Sequence, residues 1–369
     1  MRAALAVLAL AAPLAGCSSP SWLAEAHIAV AGNGTTNQDC RGDICKHNEN
    51  TDLTVWKGDI YLVHRTAESQ MLGPNSSLNI YQYADGAFTL LKRVPAPSDR
   101  DIRDPHFYAV GDELRIKALA RLPVVSIRDA DVDTVPLWLN ALDDSTDYGG
   151  ELGPHGWSFW RLKQSPAGEW LTAAYADGDK SVVLYRSADG VSFSAGATIY
   201  DDAAQTPLET ELTFLPSGRL MALVRTDGND DEITGNLDVR TVVCWADAPY
   251  DAFACPQVLD GVRLDGPLTF FWHDRLFAIA RKHLGADNRK RTALYEFGGT
   301  LDGGPLTIRE RGELPSAGDT SYAGAAPLPD GRVLATWYSG DLASDDPWVF
   351  GMYAATDIWQ ATIDPAALP

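Results

Sequence analysis

Apolar residues cluster along this chain in short runs that alternate with polar turns, and the clearest unit is Glu209 to Arg225, ETELTFLPSGRLMALVR. Leu212 to Leu215 reads as one strand, Pro216-Ser217-Gly218 as a turn and Leu220 to Arg225 as the returning strand. The returning strand is apolar at Leu220, Ala222 and Val224 and also at Met221 and Leu223, so both of its faces must be covered. Its polar residues fall at one end, where a hairpin folded at Gly218 brings Glu209 and Arg225 together.

The unit recurs. Turn residues at Gly58, Asp112, Gly168, Gly218, Asp274 and Gly331 stand 50 to 57 residues apart, each between two apolar strands. A third strand usually follows, then a further turn and a fourth, most plainly in Ser181 to Phe193. A four-strand repeat of this length is the signature of a propeller blade. The predicted fold is therefore all-β, a six-bladed β-propeller of four-stranded antiparallel blades, covering residues 48–369. No amphipathic helical pattern of convincing length competes with it.

Counting seven residues past each turn gives Arg65, Tyr175, Arg225, Arg281 and Tyr338; the second unit breaks step with Leu119, followed by Arg121. Counting back nine gives Glu209 and Tyr322, with Asp52, Asp104 and Asp265 in the matching region of other units. In a propeller these positions share one end of the central channel, so arginines, carboxylates and a tyrosine are expected to converge there. Glu211, two residues from Glu209, falls on the same face by strand parity. Trp157 and Trp160, beside His155 and Arg161, read either as a sugar-stacking platform or as blade packing.

The 369 residues carry 30 Lys and Arg against 50 Asp and Glu, a formal charge of −20. That balance argues against a nucleic-acid partner, which needs a basic face, yet permits a local arginine cluster for a small anion. At the N-terminus, Arg2 and the apolar run Ala3 to Leu14 form a targeting segment too short to span a bilayer. It ends in Leu14-Ala15-Gly16-Cys17, which resembles a bacterial lipoprotein signal box. The resemblance implies a signal peptide over residues 1–17, lipidation of Cys17 and anchoring at the cell envelope, with Ser18 favouring the outer membrane. Residues 18–47 are then a polar tether and a small loop. In an exported chain Cys40 with Cys45, and Cys244 with Cys255, read as two local disulfides; zinc is the rival, but no His lies at ligand spacing. Asp129, Asp131 and Asp133 break the calcium-loop spacing and read as a solvated turn, so neither a metal nor a cofactor is expected.

The hairpin Glu209 to Arg225 is similar to the one that carries a glutamate and an arginine in the sialidase (neuraminidase) superfamily. Tyr322 to Gly331, preceded by GDTS, resembles the hairpin of their nucleophilic tyrosine, and Ser187 to Phe193 resembles an Asp box. The resemblance implies an exo-glycosidase acting on a terminal anionic sugar. Tyr322 would be the nucleophile, Glu209 its base and Asp104 the acid. Arg225 and Arg281 would bind the sugar carboxylate, with Arg65 or Arg103 as the third arginine, and Arg161 and Glu211 nearby; Glu211 could replace Glu209 as base. The family's first arginine sits in an FRIP-like segment that this chain lacks, Asp101 to Pro105 being the nearest stretch. A monomeric propeller that binds glycans or proteins without cleaving them is the alternative, as is another glycoside hydrolase on the same scaffold.

Overall fold

The computed structural model describes residues 20–33, 39–71, 73, 75–98, 100–122, 133–176, 180–227, 238–285 and 287–368. They form six antiparallel sheets of four strands, arranged as the blades of a propeller with almost no helix. The innermost strands are His47–Trp56, Asp101–Val110, Trp157–Phe159, Pro207–Phe214, Asp265–Trp272 and Thr320–Pro327. In the third blade the inner strand breaks at Trp160 and resumes as Lys163–Gln164, a fifth short segment in that sheet.

Continuous apolar runs form the second strands because each blade is sandwiched between two others. Leu220–Thr226 is buried at every residue. Six apolar clusters fill the six seams between blades, for example Val63, Ile80, Phe107 and Ile116 between the first two. Trp160 is fully buried in the seam between the last blade and the first, against Tyr322, and Trp157 packs on Tyr185; both are blade packing. The turn Ser187 to Phe193 is closed by Asp189, whose carboxylate accepts from the Val191 and Ser192 amides and is held down at about 2 by those bonds.

The ring closes through the N-terminal strand. Leu23–Val30 pairs antiparallel with Asp357–Ile363 as the outermost strand of the sixth blade. Part of the stretch expected as a tether is thus a propeller strand; its backbone groups complete a sheet edge that would otherwise stay open. Trp22, 5% exposed, packs beside it with Phe277 and Trp337 in the seam between the fifth and sixth blades. Both expected disulfides are formed, Cys40–Cys45 and Cys244–Cys255. Cys17, Asp129 and Asp131 lie outside the described residues. Among those described, no helix is long and apolar enough to cross a membrane.

One irregularity repeats in five blades. Pairing of the first two strands slips between Glu49 and Asp52, Arg103 and His106, Pro207 and Thr210, Asp265 and Leu268, and Ser321 and Gly324. Each slip is a β-bulge at the start of the inner strand, at the same end of the channel. The bulges turn Asn50 (φ 55°), Asp104 (φ 48°), Gly266 (φ 55°) and Tyr322 (φ 48°) into the left-handed region, which costs a non-glycine residue about 1–2 kcal/mol.

Trp22→Ala is expected to destabilise the propeller by about 3 kcal/mol. The check is a lower urea midpoint at unchanged m-value.

Candidate functional site

The bulged ends surround a cavity of about 190 Å³. Its walls include Glu209, Arg225, Arg281, Tyr322, Arg103, Asp104, Arg121 and Tyr175 from the sequence reading, together with Glu49, Asn50, Gln70 and Trp348. The second-strand positions reached by counting from the turns do face the bulges: Arg281 pairs with Asp265, Tyr338 with Ser321 and Arg65 with Glu49.

Glu209 is the junction of three blades. Its Oε1 accepts the Tyr322 hydroxyl from the sixth blade. Its Oε2 accepts from Arg225 Nη1 of its own blade at 2.8 Å and from the Gly266 amide of the fifth at 2.8 Å. Gly266 is required twice over. Its φ is positive, and a Cβ there would lie 2.9 Å from the Tyr322 ring. Burial pushes the Tyr322 phenol well above its ordinary value, with the Glu209 carboxylate adding to the rise and Arg281 and Arg225 opposing it. The Arg281 guanidinium lies 4.9 Å from the centroid of the same ring, a cation–π distance.

The arginines are anchored by carboxylates behind them. Arg225 donates to Asp227 through Nε and Nη2, both at 2.8 Å. Arg281 donates through Nε to the Thr320 carbonyl and through Nη2 to Asp319 and the Tyr338 hydroxyl. Arg103 donates to Asp101 and to the Gln70 carbonyl. Among the described residues, Nη1 of Arg281 and Nη1 of Arg103 have no hydrogen-bond partner in the protein.

Three residues expected at the site lie outside the cavity wall. Arg65 is fully buried one layer behind, donating to Glu49, to Asp101 and to the Ser69 carbonyl. Arg161, in the break of the third blade's inner strand, pairs with Asp52 and donates to the Ala323 carbonyl. Glu211 is fully buried, held by Lys163 at 2.8 Å and by Thr269, and is not on the cavity wall. Glu211 lies beyond the bulge that carries Glu209, in the regularly paired part of the strand, and its carboxylate meets Thr269 where that of Glu209 meets Gly266. Of the two candidates for third arginine, Arg103 is the one on the wall.

Asp104 lines the cavity, accepts from Asn50 Nδ2, and is pushed above the ordinary carboxylate range by burial, the nearby Lys117 and Arg103 opposing and Glu209 and Glu49 adding to the rise. Lys117 is fully buried beneath it and donates to the Asp104 carbonyl at 2.9 Å and the Phe159 carbonyl at 2.7 Å. Burial brings its ammonium down to about 7, Asp104 limiting the fall. His47, also fully buried, donates through Nδ1 to the Ala354 carbonyl; burial lowers it, but the Asp319 and Glu49 carboxylates outweigh burial and hold it at about 9. Gln70 and Trp348 escaped the sequence reading because they belong to no repeated offset; Glu49 stands nine residues before Gly58, the offset of Glu209 and Tyr322, in a region where the sequence pointed to Asp52 instead. Asn50 and Gly266 share the bulge position of Tyr322, although they stand eight residues before their turns and Tyr322 nine.

No family model matches the chain, and no curated protein matches it by sequence. Among solved structures it is similar to a protein of unknown function from Dyadobacter fermentans, with a TM-score of 0.63 and 16% identity over 92% of this chain and 99% of that one. It is similar also to the Trypanosoma rangeli sialidase solved in complex with sialic acid, at TM-score 0.63 and 10% identity, covering 93% of this chain and 59% of the other. A Penicillium chrysogenum alpha-L-arabinanase complexed with arabinobiose matches at TM-score 0.57 and 12% identity over 94% of this chain and all of that one, 100%. The resemblance to sialidases read from the hairpins thus holds as a likeness of propeller fold.

Lys117 gives the site a pH signature. An unfolded lysine keeps its proton to about 10.4, the folded one only to about 7. The unfolded state therefore binds more protons between those values, and this group makes stability rise with pH across that window. Lys117→Met is expected to remove that rise, so its urea midpoint plotted against pH should have the lower slope; identical slopes would count against a buried titrating lysine.

Proposed function

We propose that the cavity hydrolyses the bond to a terminal anionic sugar, of the sialic acid class, with retention of configuration. One observation carries this reading: a tyrosine hydroxyl bonded to a buried glutamate, in a cavity where two anchored arginines turn uncommitted N–H groups. A carboxylate-bearing sugar fits those donors through charge-assisted hydrogen bonds. Arg281, Arg225 and Arg103 take the substrate carboxylate. Tyr322 attacks the anomeric carbon as a phenol, which the substrate anion repels less than it would a carboxylate, in the manner of tyrosine-nucleophile sialidases. Glu209 accepts the phenolic proton in the same step, a transfer already aligned by their hydrogen bond. The raised phenol explains why that base is needed: Tyr322 does not ionise by itself near neutral pH. Asp104, held protonated longer by burial, gives its proton to the leaving oxygen and then activates the water that releases the sugar from Tyr322. The size of the cavity suits one sugar residue at a chain end.

Tyr322→Phe is expected to lower turnover of an aryl sialoside by at least about a hundredfold with the urea midpoint nearly unchanged; full turnover would remove Tyr322 from the mechanism. The second reading, a propeller that binds without cleaving, is favoured by the burial of Arg65, which takes that arginine off the wall. Binding on a glycan array together with no hydrolysis of any sialoside or uronide would decide for it.

We also propose export and lipid anchoring through Cys17. The two disulfides support an oxidising compartment. Labelled palmitate is expected to enter the bacterial protein and to be lost in Cys17→Ala; label retained in that variant would refute the anchor.

A further inference from the structure

We propose that His47, Glu49 and Asp319 form a binding site for a divalent ion of the zinc class, fastening the first blade to the last. His47 and Glu49 sit on the first blade's inner strand, and Asp319 immediately precedes the sixth blade's inner strand. One imidazole nitrogen and two carboxylate oxygens, all fully or almost fully buried, lie within 4.8 Å of one another.

One hydrogen bond joins the three, a long one of 3.3 Å between His47 Nε2 and Glu49 Oε2, and the side chains are otherwise set as ligands are. His47 Nδ1 donates to the Ala354 carbonyl at 2.9 Å, which fixes the ring and aims Nε2 between the carboxylates. This is the usual outer support of a metal-bound histidine. Each carboxylate is likewise held by its outer oxygen: Glu49 Oε1 by Arg65, and Asp319 Oδ1 by Arg281 at 2.9 Å and Trp348 Nε1 at 2.9 Å. Their other oxygens turn inward. Glu49 Oε2 lies 3.3 Å and Asp319 Oδ2 3.6 Å from His47 Nε2. Charge-assisted hydrogen bonds run shorter, about 2.7–2.9 Å, and the buried Asp319 Oδ2 has no hydrogen-bond partner among the described residues.

A single proton on Nε2 bonds one oxygen and leaves the other orphaned. A zinc-class ion with bonds of about 2.0–2.1 Å holds neighbouring tetrahedral ligands about 3.3–3.4 Å apart, close to the separations found. The donor set excludes calcium, which wants six to eight oxygens. Two carboxylates neutralise the dication, and binding releases the Nε2 proton. Glu49 also lines the cavity, so the ion enters from that side. Sequence pattern gave no hint of this site, since Glu49 and Asp319 are brought together only by closure of the ring.

The test uses full-length protein, tag removed and dialysed against chelator, titrated calorimetrically with Zn²⁺, Ca²⁺ and Mg²⁺ and followed by thermal unfolding. One equivalent of Zn²⁺ should bind with a Kd of about 1 µM or tighter, and Zn²⁺ at about 100 times that Kd should raise the Tm. Ca²⁺ and Mg²⁺ should do neither. His47→Gln and Asp319→Asn should each weaken Zn²⁺ binding at least about tenfold. Should those variants not fold, anomalous scattering from a zinc-soaked crystal of the unaltered protein locates the ion. Three results overturn the proposal: no binding at about 1 mM, equal binding of Ca²⁺, or an ion found instead at the exposed trio His155, Asp133 and Glu151. The readout is metal affinity, so glycoside turnover does not enter it.

Discussion

The Glu209 carboxylate is the group on which the cavity depends. It accepts from Arg225, from the Gly266 amide and from the Tyr322 hydroxyl, groups contributed by three successive blades. A buried carboxylate with these bonds removed would be strongly destabilising, so the relative positions of the fourth, fifth and sixth blades are tied to the geometry at Tyr322. The bulges make this possible. They give five of the six inner strands an extra residue where the strand enters the channel, and they turn Tyr322, Asp104 and Asn50 into a conformation that ordinary strand backbone does not offer. Strain of this kind persists only where the surroundings over-determine it. At Tyr322 they do so through Gly266 beneath the ring and Arg281 over it.

Behind the wall, charge is arranged in alternation. Arg281, Asp319, His47, Glu49, Arg65, Asp101 and Arg103 follow one another from one wall arginine to another. Each guanidinium is desolvated and costly by itself, and each is flanked by a carboxylate that offsets the cost. Anchoring consumes only part of each donor set. The planar fork of arginine allows Arg281 and Arg103 to be held from behind through Nε and Nη2 while Nη1 stays uncommitted. A lysine in either place lacks that division of labour. His47, in the middle of the run, is where the first and last blades meet, and the spacing of its carboxylates is what singles it out from an ordinary ion pair.

Two kinds of information separate cleanly in this protein. The sequence determined the blade count, the all-β class, the disulfide partners and the convergence of Glu209, Arg225, Arg281 and Tyr322, because these follow from a hairpin repeated at near-constant spacing and from the two-residue period of strands. That same period set Glu211 beside Glu209 but could not show that it lies beyond the bulge, against Thr269 and Lys163 and off the cavity wall, because a bulge leaves no local mark in the sequence. Nor did any offset distinguish Arg65, buried behind the wall, from Arg225 and Arg281 on it: depth depends on what fills the space in front, here Glu49 and Arg103 from two other strands. Only the tertiary structure decided that Leu23–Val30 closes the ring, that Arg103 and not Arg65 reaches the cavity, and that His47 and Asp319 are neighbours. Periodicity is a property of consecutive residues and can be read along the chain, whereas seams, closure and charge pairing join residues that only the closed ring makes adjacent.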